Sequence, residues 1–258
     1  MARRREESSP LFDQLCGNGH ISNHNNLNGY SNSNYGNHIS QSNNHTQSSL
    51  PYIKFEKRNQ SQIDALQSYA ENDITFLLGP AGCGKTYVAI AIALQEIYYN
   101  KKEKIVLTRP AVESGERLGF LPGDLEEKID PFLNPFHDCM NKLAGKNASN
   151  KDKFKNILDK VPLAYMRGRT FDNSVCILDE AQNCTLPQIR LFLTRIGEGS
   201  RMIITGDPDQ SDLPGPCVLN AVTRRFQNVS GIGIVKFNDD EIVRHPVISK
   251  VLSCLKGL

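Results

Sequence analysis

Short apolar runs recur along the chain after residue 51. Five of them hold five or six residues and end in polar, glycine or proline positions, which is typical of strands buried in a parallel sheet. These runs are Ile74–Leu78, Lys104–Arg109, Ser174–Leu178, Arg201–Thr205 and Ile232–Phe237. A further short strand is predicted over Pro162–Met166.

Helical periodicity fills the intervals between these runs. The predicted helices are Ser61–Ala70, Lys85–Tyr99, Asp124–Ala144, Lys151–Lys160, Leu186–Ile196, Cys217–Phe226 and Val247–Leu255. Asp124 is a candidate N-cap, and Pro131 and Pro135 are expected to interrupt the segment that follows it. Strand alternating with helix predicts an α/β fold, in which helices cover both faces of a mostly parallel sheet.

Residues 1–50 have a different composition from the rest of the chain. They hold ten Asn and nine Ser, and Asp13 is the one charged residue between Leu11 and Ile53. Such a segment buries too little apolar surface to offset the entropy of ordering it. We therefore expect a disordered low-complexity tail over 1–50 and a folded domain over 51–258.

Several classes of protein are excluded by the same composition. The longest apolar run, Val88–Leu94, is far too short to span a bilayer, so no membrane association is expected. Seven scattered Cys without a C-x-x-C pair predict neither a disulfide framework nor a zinc ribbon. They favour a reducing compartment such as the cytoplasm. The net charge of +2 gives no general signal for nucleic-acid binding.

A glycine-rich segment between the first strand and the next helix carries candidate chemistry. It matches G-x-x-x-x-G-K-[ST] and consists of Gly79, Pro80, Ala81, Gly82, Cys83, Gly84, Lys85 and Thr86. Its backbone N–H groups and the helix N-terminus suit the phosphates of a nucleotide. Lys85 is expected to reach the β- and γ-phosphates, and Thr86 to bind Mg²⁺. Cys83 is either an inert small residue or a site of redox regulation.

Two adjacent acids end the strand Ser174–Leu178. Ligands of α/β sheets bind at the carboxyl ends of the strands, so these acids are expected near the phosphates. Asp179 would hold the water shell of the metal, and Glu180 would accept a proton from the attacking water. The alternative is that they are merely exposed acids at a strand end.

The strand Arg201–Thr205 also ends in small and polar residues. Gln210 follows it and is suited to orient water or to sense the γ-phosphate, because its amide both donates and accepts hydrogen bonds. An ordinary turn built on Gly-Asp-Pro at 206–208 is the alternative.

Longer blocks of sequence resemble the PhoH family over about residues 59–256. They lie at 74–86, 107–124, 163–170, 177–182, 192–197, 205–214 and 243–246. The block at 107–124 is specific, because P-loop proteins at large lack it. The resemblance implies a single RecA-like domain similar to the ATPase core of superfamily 1 helicases. It also implies ATP and Mg²⁺ as cofactors and RNA or single-stranded DNA as partner, in the cytoplasm of a host cell if the chain is viral.

The resemblance also suggests roles for individual side chains. Gln62 matches by position a helicase glutamine that reads adenine just before the P-loop; an ordinary surface residue is the alternative. Arg109, Arg167 and Arg169 fall within family blocks and are candidates for binding a single-stranded backbone. Structural pairing is the alternative for each of them.

One RecA-like domain is half of what a superfamily 1 helicase uses to enclose ATP. We therefore expect a homo-oligomer, by analogy a ring hexamer, in which a neighbouring subunit supplies an arginine to the site. Arg244 is the first candidate for that arginine and Arg195 the second. The leading hypothesis is an oligomeric Mg²⁺-dependent ATPase coupled to RNA or single-stranded DNA, with helicase-like activity.

Two other functions remain open from the sequence. One is an ATP-dependent protein switch or scaffold that binds no nucleic acid. The other is a nucleotide or phosphate kinase, although Glu180 and Gln210 suit the activation of water better than transfer to a bound acceptor.

Overall fold

The computed structural model describes residues 50, 53, 55–99, 101–110, 125–145, 154–238 and 254. Within this part of the chain, six strands form one parallel sheet in the order β3-β2-β4-β5-β1-β6. The strands are β1 (Ile74–Leu78), β2 (Lys104–Thr108), β3 (Leu158–Lys160), β4 (Ser174–Leu178), β5 (Arg201–Gly206) and β6 (Ile232–Lys236). Because all pairs are parallel, the carboxyl ends of the strands meet at one edge.

The longer helices of the described residues connect and cover these strands. They are α1 (Gln60–Glu71), α2 (Lys85–Tyr98), α3 (Leu125–Ala144), α4 (Leu186–Leu193) and α5 (Val218–Phe226). Polar side chains fix two of the helix starts: Asn59 accepts the N–H of Gln62 at 3.0 Å, and Gln188 accepts the N–H of Thr185 at 2.8 Å.

The sheet separates two hydrophobic cores, because successive side chains of a strand point to opposite faces. Leu77 and Ile177 pack on one face with residues of α1, α2 and α3. Phe76 and Leu178 pack on the other face with residues of α4 and α5. The predicted α/β class, a parallel sheet flanked by helices, is confirmed. Val88–Leu94 of α2 is fully buried, as its uniformly apolar sequence predicts.

The region between α3 and β4 differs from the prediction. The helix predicted over Lys151–Lys160 is present at residues 154–157, but it ends there, and the chain then forms β3, which pairs with β2. The strand predicted over Pro162–Met166 is a 3₁₀ helix, Leu163–Met166. The N–H of Val161 still donates to the Leu107 carbonyl, but Pro162 has no N–H to continue the ladder.

Helix α3 continues through Pro131 and Pro135, so the predicted interruption is wrong. Each proline withholds one N–H from the helix without ending it. The tail over residues 1–49, the candidate cap Asp124 and nearly all of the helix predicted over Val247–Leu255 lie outside the described residues. No helix in the described ranges is both long and apolar enough to cross a membrane.

Candidate functional site

The glycine-rich segment forms the connection from β1 to α2 at the carboxyl edge of the sheet. Gly79 has φ +148°, and its N–H donates to the Gly206 carbonyl of β5 at 3.2 Å. A Cβ atom at Gly79 would lie 2.6 Å from the Phe237 carbonyl oxygen. The close approach of these backbone segments therefore requires glycine at the start of the loop.

Lys85 folds back over this loop. Its Nζ donates to the carbonyl oxygens of Gly79 at 2.6 Å and of Pro80 at 2.8 Å. The ammonium is thus placed inside the loop, where the phosphates of a bound nucleotide would meet it together with the N-terminus of α2.

Asp179 is brought to the same place from the end of β4. Its Oδ1 accepts hydrogen bonds from the hydroxyls of Thr86, at 2.9 Å, and of Thr205. The side chain is buried, and burial, followed by repulsion from Glu180, raises the pKa of this carboxyl. A hydroxyl and a carboxylate that share one oxygen-rich position fit Mg²⁺, whose charge would relieve this repulsion.

Glu180 is held by contacts on both of its carboxylate oxygens. The guanidinium of Arg109 donates to Oε1 at 2.7 Å, and Nε2 of Gln182 donates to Oε2 at 2.5 Å. The backbone of Glu180 has φ +55°, a left-handed conformation that costs about 1 kcal/mol or more outside glycine. The side chain remains 38% exposed. This acid is therefore fixed beside Asp179 yet accessible from solvent.

Asp207 is a member of the site that the sequence did not single out. Its N–H donates to Oε1 of Gln182 at 3.0 Å. Burial raises the pKa of the Asp207 carboxyl, whereas the N–H of Asp209, the Lys85 ammonium and the N–H of Ala81 act in the opposite direction. Asp207 and Gln182 thus connect Glu180 to the glycine-rich segment 79–86, which we call the phosphate loop. The signal in the sequence is an acid directly after the end of β5.

Gln210 lies in the loop after β5. Its N–H donates to the Asp207 carbonyl at 3.0 Å, and its side chain is exposed. The contact that ties Gln210 to the site is thus made by its backbone.

Gln62 lies beside the phosphate loop rather than on the surface, since only 1% of the residue is exposed. Its Oε1 accepts the Arg58 N–H at 2.9 Å, and its Nε2 is 3.1 Å from the position that a Cβ at Gly84 would take. A cavity of about 460 Å³ opens here. It is lined by Glu56, Arg58, Gln62, Gly82, Gly84, Tyr87, Cys139 and Lys142.

None of the other candidate arginines is placed at the phosphate loop by a contact in the described residues. Arg169 pairs with Asp159 at 2.7 Å, and its carbonyl accepts a hydrogen bond from Arg195 at 3.0 Å. Arg167 is exposed. Arg244 lies outside the described residues.

Cys83 is buried within the phosphate loop. Burial raises the pKa of its thiol, although the nearby Lys85 ammonium acts in the opposite direction. A buried, protonated thiol reacts slowly, so of the two alternatives the structure favours an inert residue.

The chain is similar in sequence to known proteins. The family model described as PhoH-like protein matches residues 54–256. A PhoH-like protein of Bacillus subtilis is 45% identical over 193 residues, which are 74% of this chain and 60% of that protein. Protein PhoH of Escherichia coli is 39% identical over 199 residues, 76% of this chain and 56% of that protein. The chain thus spans about three fifths of the length of these relatives.

Among solved structures, similarity is distant. A SWI2/SNF2 ATPase core of Sulfolobus solfataricus in complex with dsDNA is 18% identical at a TM-score of 0.39, covering 63% of this chain and 34% of that one. The large terminase of bacteriophage D6E is 13% identical at a TM-score of 0.49, covering 81% and 52%. The family model and the relatives carry the assignment, and the chain belongs to the PhoH family.

Proposed function

We propose that the protein is a Mg²⁺-dependent ATPase that works as an oligomer and couples hydrolysis to remodelling of RNA or single-stranded DNA. One observation carries the ATPase assignment. The hydroxyl of Thr86, at the end of the phosphate loop, lies 2.9 Å from the buried carboxylate of Asp179, and Glu180 follows with a side chain that is 38% exposed. A loop that only bound phosphate would need neither acid.

Each residue of the site has a role in this proposal. The backbone N–H groups of the loop and Lys85 bind the phosphates and offset their negative charge. Thr86 and Asp179 would hold Mg²⁺, which neutralises charge on the phosphates when it is bound. Glu180 accepts a proton from the attacking water. Gln210 would have to turn its exposed amide towards that water.

The cavity beside Gln62 is the proposed site of the nucleotide base. It adjoins Gly82 and Gly84 of the phosphate loop, and the ring of Tyr87 offers an apolar surface for a base. The Nε2 group of Gln62 is a donor for a ring nitrogen such as N7 of adenine.

A neighbouring subunit would complete the site. Arg195, the second candidate for an arginine supplied in trans, donates to the Arg169 carbonyl and is thereby held within its own chain. Arg244 remains the first candidate. A head-to-tail ring, a hexamer by analogy, would carry it to the next site, in a protein of the cytoplasm.

The test combines activity with mass. ATP turnover is measured with and without a single-stranded RNA and a single-stranded DNA oligonucleotide, and mass in solution is measured by light scattering. Lys85→Ala should lower turnover by at least about 100-fold, because the phosphates lose their main cation. Arg190→Ala, at an exposed position of α4, is the matched control.

The outcomes separate the parts of the proposal. Unchanged hydrolysis in Lys85→Ala would refute the phosphate site. A monomer with full activity would refute the oligomer. Turnover that neither oligonucleotide stimulates at low salt would refute the coupling to nucleic acid and favour an ATP-dependent protein switch.

A further inference from the structure

The carboxylate of Glu180 binds two partners that lie on opposite sides of it at the carboxyl edge of the sheet. Arg109 follows β2 and holds Oε1 at 2.7 Å, whereas Gln182 holds Oε2 at 2.5 Å. The strand order places β2 on one side of β4, and places β5 and then β1 with its phosphate loop on the other side. The ion pair with Arg109 therefore lies on the β2 side of β4, opposite the side that carries the phosphate loop.

The contact through Gln182 acts towards the nucleotide. Its Oε1 accepts the N–H of Asp207, which follows β5. The Asp207 carboxylate in turn interacts with Lys85 and with the N–H of Ala81. Without Arg109, the Glu180 carboxylate would keep its hydrogen bond from Gln182, which connects it through Asp207 to the phosphate loop.

Arg109 also restrains the second acid of the site. Its Nε is 3.8 Å from Oδ2 of Asp179, so a single guanidinium offsets the charge of both neighbouring carboxylates. Its side chain is 24% exposed and can be reached by a ligand from solvent.

We propose that Arg109 restrains Glu180 in an unproductive position, and that hydrolysis accelerates when a phosphate group takes the guanidinium from the carboxylate. The inference rests on the proposed ATPase function and adds its regulation. Phosphate is the chemistry that fits, because a guanidinium binds phosphate with the same planar fork that it offers to carboxylate. Lys160, paired with Leu107 at the neighbouring strand end, brings a second basic residue to this edge.

Two sources can supply this phosphate. One is the backbone of a single-stranded nucleic acid, which would couple its binding to hydrolysis. The other is the γ-phosphate of the substrate itself. Both sources present the same chemical group to the guanidinium, and the arms of one experiment distinguish them.

The experiment measures single-turnover hydrolysis of ATP, with the protein in excess at a concentration that saturates binding, with and without a poly-dT oligonucleotide. Arg109→Gln removes the charge and should accelerate hydrolysis without oligonucleotide about threefold to tenfold, the effect of losing one partly exposed ion pair. Arg109→Lys keeps the charge but not the fork and should accelerate it less. Affinity for a fluorescent ATP analogue should change less than about twofold. Arg190→Ala is the control for unchanged activity.

If the oligonucleotide accelerates ATP hydrolysis by the wild type but not by Arg109→Gln, the phosphate that binds Arg109 comes from the nucleic-acid backbone. If Arg109→Gln hydrolyses ATP faster than the wild type, and the oligonucleotide does not change hydrolysis by the wild type, the phosphate is the γ-phosphate of ATP. Equal or slower hydrolysis in Arg109→Gln at unchanged affinity overturns the restraint.

Folding of each variant is checked by thermal unfolding, and Arg109→Met provides a second uncharged side chain if Arg109→Gln does not fold. The wild type and Lys85→Ala are compared first. If the wild type shows no ATP hydrolysis that depends on Lys85, the proposed function itself is refuted, and the Arg109 variants need not be compared.

Discussion

The hydroxyl of Thr86 donates to Oδ1 of Asp179 at 2.9 Å and so joins the start of α2 to the end of β4 across 93 residues of sequence. Thr205 of β5 donates to the same oxygen. Three elements of the sheet edge therefore converge on one buried carboxylate. Its opposite oxygen, Oδ2, lies 3.8 Å from the guanidinium of Arg109. A buried negative charge at this point destabilises the protein, and in the proposed function a bound Mg²⁺ would offset it.

Asp179→Asn should raise the midpoint of thermal unfolding of the nucleotide-free protein at pH 8. Burial and Glu180 raise the pKa of Asp179, so the folded state binds its proton more tightly than the unfolded state does. The stability of the wild type therefore falls as the pH rises from the ordinary aspartate pKa to the raised one. The difference between variant and wild type should shrink as the pH is lowered through that window.

Thermal unfolding from pH 4 to pH 8 checks this, with Asp64→Asn at an exposed position of α1 as the control. A variant that melts below the wild type at pH 8 would show that the hydrogen bonds from Thr86 and Thr205 outweigh the buried charge. In the proposed mechanism, the same variant should also lose Mg²⁺-dependent binding of a fluorescent nucleotide.

Glu180→Gln should bind ATP with nearly wild-type affinity and hydrolyse it at least about 100-fold more slowly, because the amide cannot accept the proton of the attacking water. Its shape is preserved, so the contact with Gln182 can rearrange without loss of the fold. Rapid-quench turnover and equilibrium nucleotide binding measure the two quantities separately. Glu198→Gln, at an exposed turn, is the control. Normal turnover in Glu180→Gln would remove Glu180 from the role of general base.

Features that depend on local sequence could be predicted. The phosphate loop depends on the spacing of Gly79, Gly84 and Lys85, and the placement of Asp179 depends on a parallel strand that ends just before it. Both are fixed within a few residues of chain. The rule that ligands bind at the carboxyl edge then brings them together without knowledge of the strand order.

Features that depend on distant partners could not be predicted. Leu158–Lys160 forms a strand because β2 offers it a free edge, whereas its own sequence reads as helix. Arg109 reads as a cation for nucleic acid, and only the adjacency of β2 and β4 shows that it faces Glu180, 71 residues away. No sequence motif predicts the hydrogen bond between Asp207 and Gln182.

Cys83 should resist alkylation by N-ethylmaleimide in the folded protein, because it is buried and burial raises the pKa of its thiol. Cys254, which is exposed, should react first. Peptide mass spectrometry over a time course measures both, and the same reaction in denaturing guanidinium chloride, where both thiols should react, is the control. ATP turnover lost on mild oxidation and restored by a reductant, with the modification mapped to Cys83, would contradict this and establish a redox switch.

Gly79→Ala should destabilise the fold by more than about 2 kcal/mol, since the added Cβ would meet the backbone and the Cβ atom of Phe237, which no rotation of a side chain can move away. The new atom would lie 2.6 Å from the carbonyl oxygen and 2.8 Å from the Cβ of Phe237, at a φ of +148°. Gly215→Ala is the matched control, because Gly215 also has a positive φ, of +89°, but no atom within 4 Å of the added group. It should cost only the backbone strain, about 1 kcal/mol. Urea unfolding at equal m-values gives both numbers, and equal losses in the two variants would show that the loop and the chain after β6 can separate without harm.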